Sequence, residues 1–185
     1  MSIKSPPLTV EAFDEWVLLP ENASRLFEFI AGEVVEVPSN AYASKIASVI
    51  SGFLFMYLMR NKIGHLTGEN GGYQVNGERY APDVAFISFE RAPQLDPKGY
   101  HPDAPDLAVE VISDESNKQE MTTINQKLAN YGAAGVLVWI VYSEARKVHV
   151  YRPNQDVQVV GESGTLTGDD VISGFELPVS EIFNW

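Results

Sequence analysis

Leu107-Ala108-Val109-Glu110-Val111-Ile112 places one carboxylate inside an otherwise apolar run. With its flanks it reads as a strand over 106–113, and its alternation puts Ala108, Glu110 and Ile112 on one face, Leu107, Val109 and Val111 on the other. An unpaired carboxylate in a buried strand costs several kcal/mol or gives up its charge. Glu110 therefore needs a partner or a task, and buried acids of this kind concentrate at functional sites. A second stretch, Pro82-Asp83-Val84-Ala85-Phe86-Ile87, predicts a strand over 82–88 with Asp83, Ala85 and Ile87 on one face. If the two strands pair antiparallel with Asp83 opposite Glu110, Ala85 falls opposite Ala108, since the residue numbers of both pairs share one total. Directly opposed Cβ atoms lie roughly 4.5–5.5 Å apart. Two carboxylates would then stand together beside two alanines that leave room above the sheet. Like charges so placed need compensation, and a hard divalent cation such as Mg²⁺, with Mn²⁺ as substitute, would supply it. The Val111 carbonyl is a candidate third ligand.

Outward from these strands, 41–62 predicts a long helix, with Ile46, Val49, Ile50, Phe53, Leu54, Tyr57 and Leu58 at helical spacing. Ser39 or Asn40 can cap its start, and Gly64 follows its end. A short helix through Phe13 and Trp16 follows a Thr9 cap. A hairpin over 25–30 and 33–37 turns at Ala31-Gly32, and a further strand is expected over 72–76. The segment 89–105 carries Pro93, Pro97, Pro102 and Pro105 and reads as irregular. From a Ser116 cap, a helix to about Tyr131 has Met121, Ile124, Leu128 and Tyr131 on its apolar face. Lys127 sits on that same stripe; by itself it reads as a lysine reaching out along the stripe's edge. Val136-Leu137-Val138-Trp139-Ile140-Val141-Tyr142 predicts a strand covered on both faces. A hairpin over 147–152 and 156–160 turns at Pro153-Asn154, and the tail from 178, with Phe183 and Trp185, reads as a short docked helix. The core order is helix, three strands, helix, strand. This is an α/β architecture with a mixed central sheet covered by helices, an N-terminal hairpin and a C-terminal β-hairpin extension, expected as one domain over 1–185.

The 185 residues, 45% hydrophobic and 21% charged, have the composition of a folded globular chain. The absence of cysteine excludes disulfides and thiolate-bound zinc. With no signal-like segment read at the start, a cytoplasmic protein without membrane attachment is expected. The formal charge of −12 argues against strong sequence-blind binding of a polyanion. His65, His101 and His149 are too scattered for a zinc site, and the glycines from Gly68 to Gly72 lack the lysine and helix of a phosphate loop.

Pro82-Asp83 followed by Glu110-Val111-Ile112, within this element order, resembles the PD-(D/E)XK nuclease core. More closely the chain is similar to the Uma-two family of bacterial restriction-endonuclease-like proteins. Phe27-Glu28-Phe29-Ile30-Ala31-Gly32-Glu33-Val34 matches that family's opening hairpin, 105–113 its central strand, and 127–135 with Val138-Trp139-Ile140 its lysine helix and next strand. The resemblance implies a restriction-endonuclease-like fold and Mg²⁺-dependent phosphodiester hydrolysis. It implies Asp83, Glu110 and Lys127 as catalytic residues, with Asp83, Glu110 and Val111 on the metal and Lys127 assisting the attacking water. The family's lysine two residues after the glutamate is Ile112 here, and Lys127 is expected to take its role. Ser44 and Lys45 stand where many relatives have a histidine, and Tyr142 where an aspartate is common. Glu28 also belongs to the matched pattern, but its plain reading is an edge-of-sheet charge. A nucleic-acid substrate and a homodimer are the expected partners. The alternative is a weakly active or inactive nuclease-fold module serving as an oligomeric interaction protein.

Overall fold

A computed structural model describes residues 9–22, 25–37 and 40–184. The chain runs through α1 (Val10–Val17), β1 (Phe27–Ile30), β2 (Glu33–Glu36), α2 (Ala41–Arg60), β3 (Gly64–Gly68), β4 (Tyr73–Val75), β5 (Glu78–Tyr80), β6 (Val84–Ser88) and β7 (Leu107–Ile112). It continues through α3 (Lys118–Ala133), β8 (Leu137–Tyr142), β9 (Lys147–Tyr151), β10 (Gln158–Gly161), β11 (Thr165–Gly168), β12 (Ile172–Pro178) and α4 (Val179–Phe183). The central sheet has the order β10-β9-β8-β7-β6-β3. It is mixed: β7 and β8 are parallel, with α3 as their crossover, and the other neighbours are antiparallel. The α/β restriction-endonuclease-like architecture read from the sequence is the observed one.

The parity rule sorts the core into two layers. Val84, Phe86, Leu107, Val109, Leu137, Trp139 and Val141 pack with Ile46, Ile50, Leu54 and Leu58 of α2 and with α4. Ala85, Ile87, Ala108, Ile112, Val138 and Ile140 face the other way, onto Ile124 and Tyr131 of α3 and onto Tyr73, Val75 and Tyr80. The second sheet, β2-β1-β5-β4, lies on this α3 side and carries Phe27 and Phe29 against Phe13 of α1. By length and hydropathy α2 could cross a membrane, but its Ile46, Ile50, Leu54 and Leu58 face is built into the core.

Caps follow side-chain chemistry. Thr9 accepts from the Ala12 N–H, and Asn40 accepts from the Ala43 N–H at the start of α2. The other candidate cap, Ser39, lies outside the described residues, as does Trp185. The α3 cap is Asn117 rather than Ser116, whose hydroxyl is engaged with Asp114. The hairpin turn at Ala31-Gly32 has φ of 51° and 82°, both left-handed.

Five strands differ from the sequence reading. The third strand of the core is β3, not the predicted 72–76, which forms β4 in the second sheet beside an unread β5. The sequence reading takes Gly64 only as the residue after the long helix and assigns no element to 64–68, yet Gly64 is there for packing. A Cβ added to it would lie 2.3 Å from the Ile87 carbonyl oxygen and 2.5 Å from the Phe86 ring. The hairpin β11–β12 is also unpredicted; its Gly-Asp-Asp segment breaks the alternation at a bulge between Thr167 and Gly168.

Candidate active site

Antiparallel pairing of β6 with β7 sets Val84 against Val109 and Ala85 against Ala108, the register expected from sequence. One step further along it, Asp83 reaches β7 just beyond the last paired residues. Its Oδ2 accepts the Val111 N–H at 2.7 Å, so the carboxylate is fixed to the backbone next to Glu110. In an extended strand the N–H and C=O of one residue point to the same side. The Val111 carbonyl therefore opens toward β6 and Asp83.

Glu110 is 6% exposed and Lys127 4% exposed, so both lie beneath the surface. Lys127 Nζ is 2.6 Å from Glu110 Oε1 and 2.8 Å from Glu28 Oε1. The lysine that read as a surface-seeking side chain thus points inward, because the α3 stripe on which it lies packs onto the strand bearing Glu110. Tyr131, one turn further on, donates its hydroxyl to Glu110 Oε1 at 2.8 Å. Glu28 corrects the sequence reading. It is no edge charge but a buried group, 4% exposed, accepting from Lys127 and from the Ala81 N–H at 2.7 Å. The second sheet carries it there, since β1 pairs with β5 and residue 81 follows directly after β5. Phe27-Glu28-Phe29-Ile30 is buried throughout, and a single carboxylate in an apolar run is the signal that had singled out Glu110.

Burial raises the Asp83 carboxyl to about 6, against the opposing pull of the Val111 N–H and Lys127. Burial likewise raises Glu110 to about 7, although Lys127 works to lower it. For Lys127, burial disfavours the ammonium, but Glu110 and Glu28 outweigh it and hold the pKa above the ordinary lysine value. Burial and Glu110 push Tyr131 well above the usual phenol range, so its hydroxyl keeps its proton. With all groups ionised, three carboxylates face one ammonium, leaving two negative charges.

Above this buried cluster the molecule opens. A cleft of about 460 Å³ is lined by Ser44, Ala47, Ser48 and Ser51 of α2, by residues 68–71 after β3, and by Asp83. Asp83 is thus the member of the cluster that reaches the cleft, while Glu110 and Lys127 support it from below. Glu69 adds a further carboxylate whose charge raises the Asp83 pKa.

The donor set suits a hydrated Mg²⁺, which takes one or two carboxylates and retains several waters. Among the described residues, no hydrogen bond falls on Asp83 Oδ1 or Glu110 Oε2; the bonds to these groups use Oδ2 and Oε1. Those two oxygens and the Val111 carbonyl form a small oxygen-only set. Among the described residues there is no cluster of three or more His, Asp or Glu side chains arranged to hold a metal, so water would have to complete the shell.

A family model described as "Uma2: Putative restriction endonuclease" matches residues 10–180. No curated protein matches the sequence. Among solved structures, a chain from Anabaena variabilis ATCC 29413, described as a putative nuclease belonging to DUF820, superposes with a TM-score of 0.79. It is 21% identical, and the match covers 97% of this chain and 99% of that one.

Proposed function

Because the chain belongs to the Uma2 family of putative restriction endonucleases, we propose that it is a divalent-metal-dependent nuclease that hydrolyses phosphodiester bonds of nucleic acid at the Asp83 cleft. The observation that carries this reading is the buried Glu28–Lys127–Glu110 chain, with contacts of 2.8 and 2.6 Å, abutting an Asp83 that lines an open cleft. Two excess negative charges beside a cleft are a setting for a doubly charged cation. Asp83 Oδ1, Glu110 Oε2 and the Val111 carbonyl would hold Mg²⁺, or Mn²⁺ in its place. When bound, such an ion supplies Lewis-acid polarisation of the phosphoryl oxygen and a more acidic water.

The chain's own residues have separable tasks. The Val111 N–H fixes Asp83, and the Tyr131 hydroxyl and Lys127 ammonium fix Glu110, so neither carboxylate has to reorganise during the reaction. The two carboxylates hold Lys127 as an ammonium, which donates hydrogen bonds but accepts no proton. It therefore assists by charge and orientation, not as the base that activates water. Glu28 anchors the lysine from behind. Seven residues of the cleft wall are serine, alanine, glycine or asparagine, small enough to admit a nucleotide. The charge of −12 makes the ion part of substrate affinity as well as of chemistry, since a phosphate otherwise meets Asp83 and Glu69.

Plasmid DNA, single-stranded DNA and RNA incubated with purified protein in Mg²⁺ or Mn²⁺ test the reading. Metal-dependent cleavage that disappears in Glu110→Gln is expected. Cleavage indifferent to that substitution would remove the site assignment. Calorimetry with Mn²⁺ on the wild type and Asp83→Asn separates the interaction-module alternative: binding lost in the variant supports the site, and no binding by either chain favours the module.

A further inference from the structure

The glycines from Gly68 to Gly72 form no phosphate loop, yet the segment they occupy walls a second concavity. It measures about 220 Å³ and shares Asn70 and Gly71 with the Asp83 cleft. Thr67, Tyr73, Asp96 and His101 supply its other polar groups. The glycine wall is bare backbone because packing forbids side chains there. A Cβ on Gly71 would lie 2.6 Å from Thr67 Oγ1, and one on Gly72 would strike the Tyr100 ring. His101 belongs to the irregular segment 89–105 but is pinned to β4. Its N–H donates to the Gly72 carbonyl and its carbonyl accepts the Gln74 N–H, each at 2.8 Å.

His101 is also a buried group with a donor to spare. It is 7% exposed, and its Nδ1 accepts the Asp96 N–H at 3.2 Å, which puts the proton of the neutral ring on Nε2. That Nε2 is buried without a hydrogen-bond partner among the described residues; the Asp103 carboxylate, at 3.7 Å, is too far for one. A buried donor left unmet is unfavourable, and a ligand that meets it gains accordingly. Asp96 Oδ1 accepts the Lys98 N–H at 2.9 Å, while no hydrogen bond among the described residues falls on its Oδ2. The Thr67 and Tyr73 hydroxyls share a single bond of 2.8 Å, so one of their two protons is left to donate.

We propose that this pocket seats one unpaired guanine base of the substrate strand, with the His101 donor on its carbonyl oxygen and Asp96 on its two N–H groups. That the base belongs to a substrate strand rests on the nuclease reading. Charge and size select the occupant. Among the described residues no Lys or Arg lines the pocket and a carboxylate does, so a phosphate is repelled and a neutral group rich in N–H donors is favoured. The volume falls below the ~300–1,000 Å³ of sites for drug-sized ligands, which suits a single ring system. Of the common bases, guanine sets two neighbouring N–H donors beside a carbonyl oxygen, the complement of a carboxylate beside an N–H donor. The Tyr73 and His101 rings, edge to face with centroids 6.1 Å apart, add aromatic surface of the kind on which bases rest. Because Asn70 and Gly71 wall both concavities, a base held here adjoins a phosphate held at Asp83. The edge being read is the one used in base pairing, so the guanine has to be unpaired or turned out of the duplex.

Guanosine, adenosine, cytidine and uridine carry no phosphate, so their equilibrium dialysis against the full-length protein in chelator tests the pocket apart from the metal site. Guanosine should bind roughly tenfold or more tightly than the others. Asp96→Asn keeps an oxygen for the Lys98 N–H and lies at an exposed position, so the melting curve should stay put while guanosine binding weakens roughly tenfold. His101→Asn keeps an acceptor for the Asp96 N–H but loses the Nε2 donor, and should weaken guanosine as well. Glu110→Gln, which stops cleavage, should bind guanosine as the wild type does. A single-stranded oligonucleotide with one guanine should be cut at a fixed distance from it, and Asp96→Asn should raise KM toward that of a strand without guanine. No nucleoside bound, all bound equally, another base preferred, or guanosine binding indifferent to Asp96→Asn would each overturn the proposal. So would cutting that ignores the guanine. Guanosine binding by a chain that cuts no nucleic acid would uphold the pocket and count against the nuclease reading alone.

Discussion

Replacing Asp83 by asparagine should make the metal-free protein more stable at pH 8 and leave it unchanged near pH 4. Burial raises the Asp83 carboxyl from the ordinary 3.8 to about 6. A folded-state pKa above the unfolded one means that the native chain holds a proton the unfolded chain releases. Stability therefore falls as pH rises from 3.8 through 6, and above that range the whole penalty is present. A rise of about two pKa units at ~1.4 kcal/mol per unit gives a penalty of about 3 kcal/mol, an upper bound because unfolded chains are not featureless. Asparagine removes the charge but keeps a carbonyl oxygen for the Val111 N–H. It also removes a charge that raises Glu110, so any coupled change adds in the same direction. The assay is urea unfolding of both chains with chelator at about pH 4, 6 and 8, comparing midpoints at equal slope. The difference between the chains should be near zero at the lowest pH and grow to about 1–3 kcal/mol at the highest. A difference independent of pH would refute the argument, since a lost contact has no reason to follow the titration of a carboxyl group. Added Mg²⁺ should then stabilise the wild type and leave the variant unmoved.

Lys127→Met should destabilise the fold by about 3–5 kcal/mol, because Glu28 and Glu110 remain buried without their cation; adding Glu28→Gln and Glu110→Gln should recover much of this in thermal melts. Tyr131→Phe should cost about 1–3 kcal/mol, and metal-dependent activity should fall with little change in the affinity for nucleic acid, since the hydroxyl only positions Glu110. Gly64→Ala should destabilise by about 1–3 kcal/mol, as its Cβ would press on the Ile87 carbonyl, which cannot move as a flexible side chain would; a melting temperature equal to the wild type would contradict the close approach.

The register at the site was legible because both of its strands obey strict alternation and pair antiparallel. Ala85 opposite Ala108 follows from parity alone once Asp83 and Glu110 are matched. What was not legible depends on a second sheet. Glu28 arrives at Lys127 because β1 pairs with β5, a contact of long sequence separation between short strands that periodicity cannot specify. Lys127 itself was ambiguous, since a lysine on an apolar stripe reaches outward or inward according to what lies under the helix. The carboxylates that draw it inward sit on β1 and β7, outside its own element. For β3, the glycine read only as the end of the long helix is there because a side chain at Gly64 would strike the neighbouring strand.

The acidity that argued against a phosphate-binding protein has a more specific meaning once the pairs are located. Among the described residues, Arg25, Arg79, Arg91, Lys127, Arg146 and Arg152 are held by carboxylates in ion pairs, which commits at least six of the thirteen Lys and Arg residues to the protein itself. On the nuclease reading proposed above, a nucleic acid is then not held chiefly by a basic face. On that reading the attraction comes from where negative charge is concentrated and unmet, the cluster below Asp83, through a cation that both sides share. Binding to nucleic acid should accordingly depend on divalent ions more steeply than on added lysine-directed salt effects: chelation should abolish it, while raising monovalent salt should weaken it only modestly, because few phosphates are neutralised by side chains. Filter binding to a non-cleavable phosphorothioate oligonucleotide, with and without Mn²⁺, measures both dependences. Tight binding in chelator that collapses with monovalent salt would mean that a basic surface does the holding and would remove the link between the acidic chain and its metal.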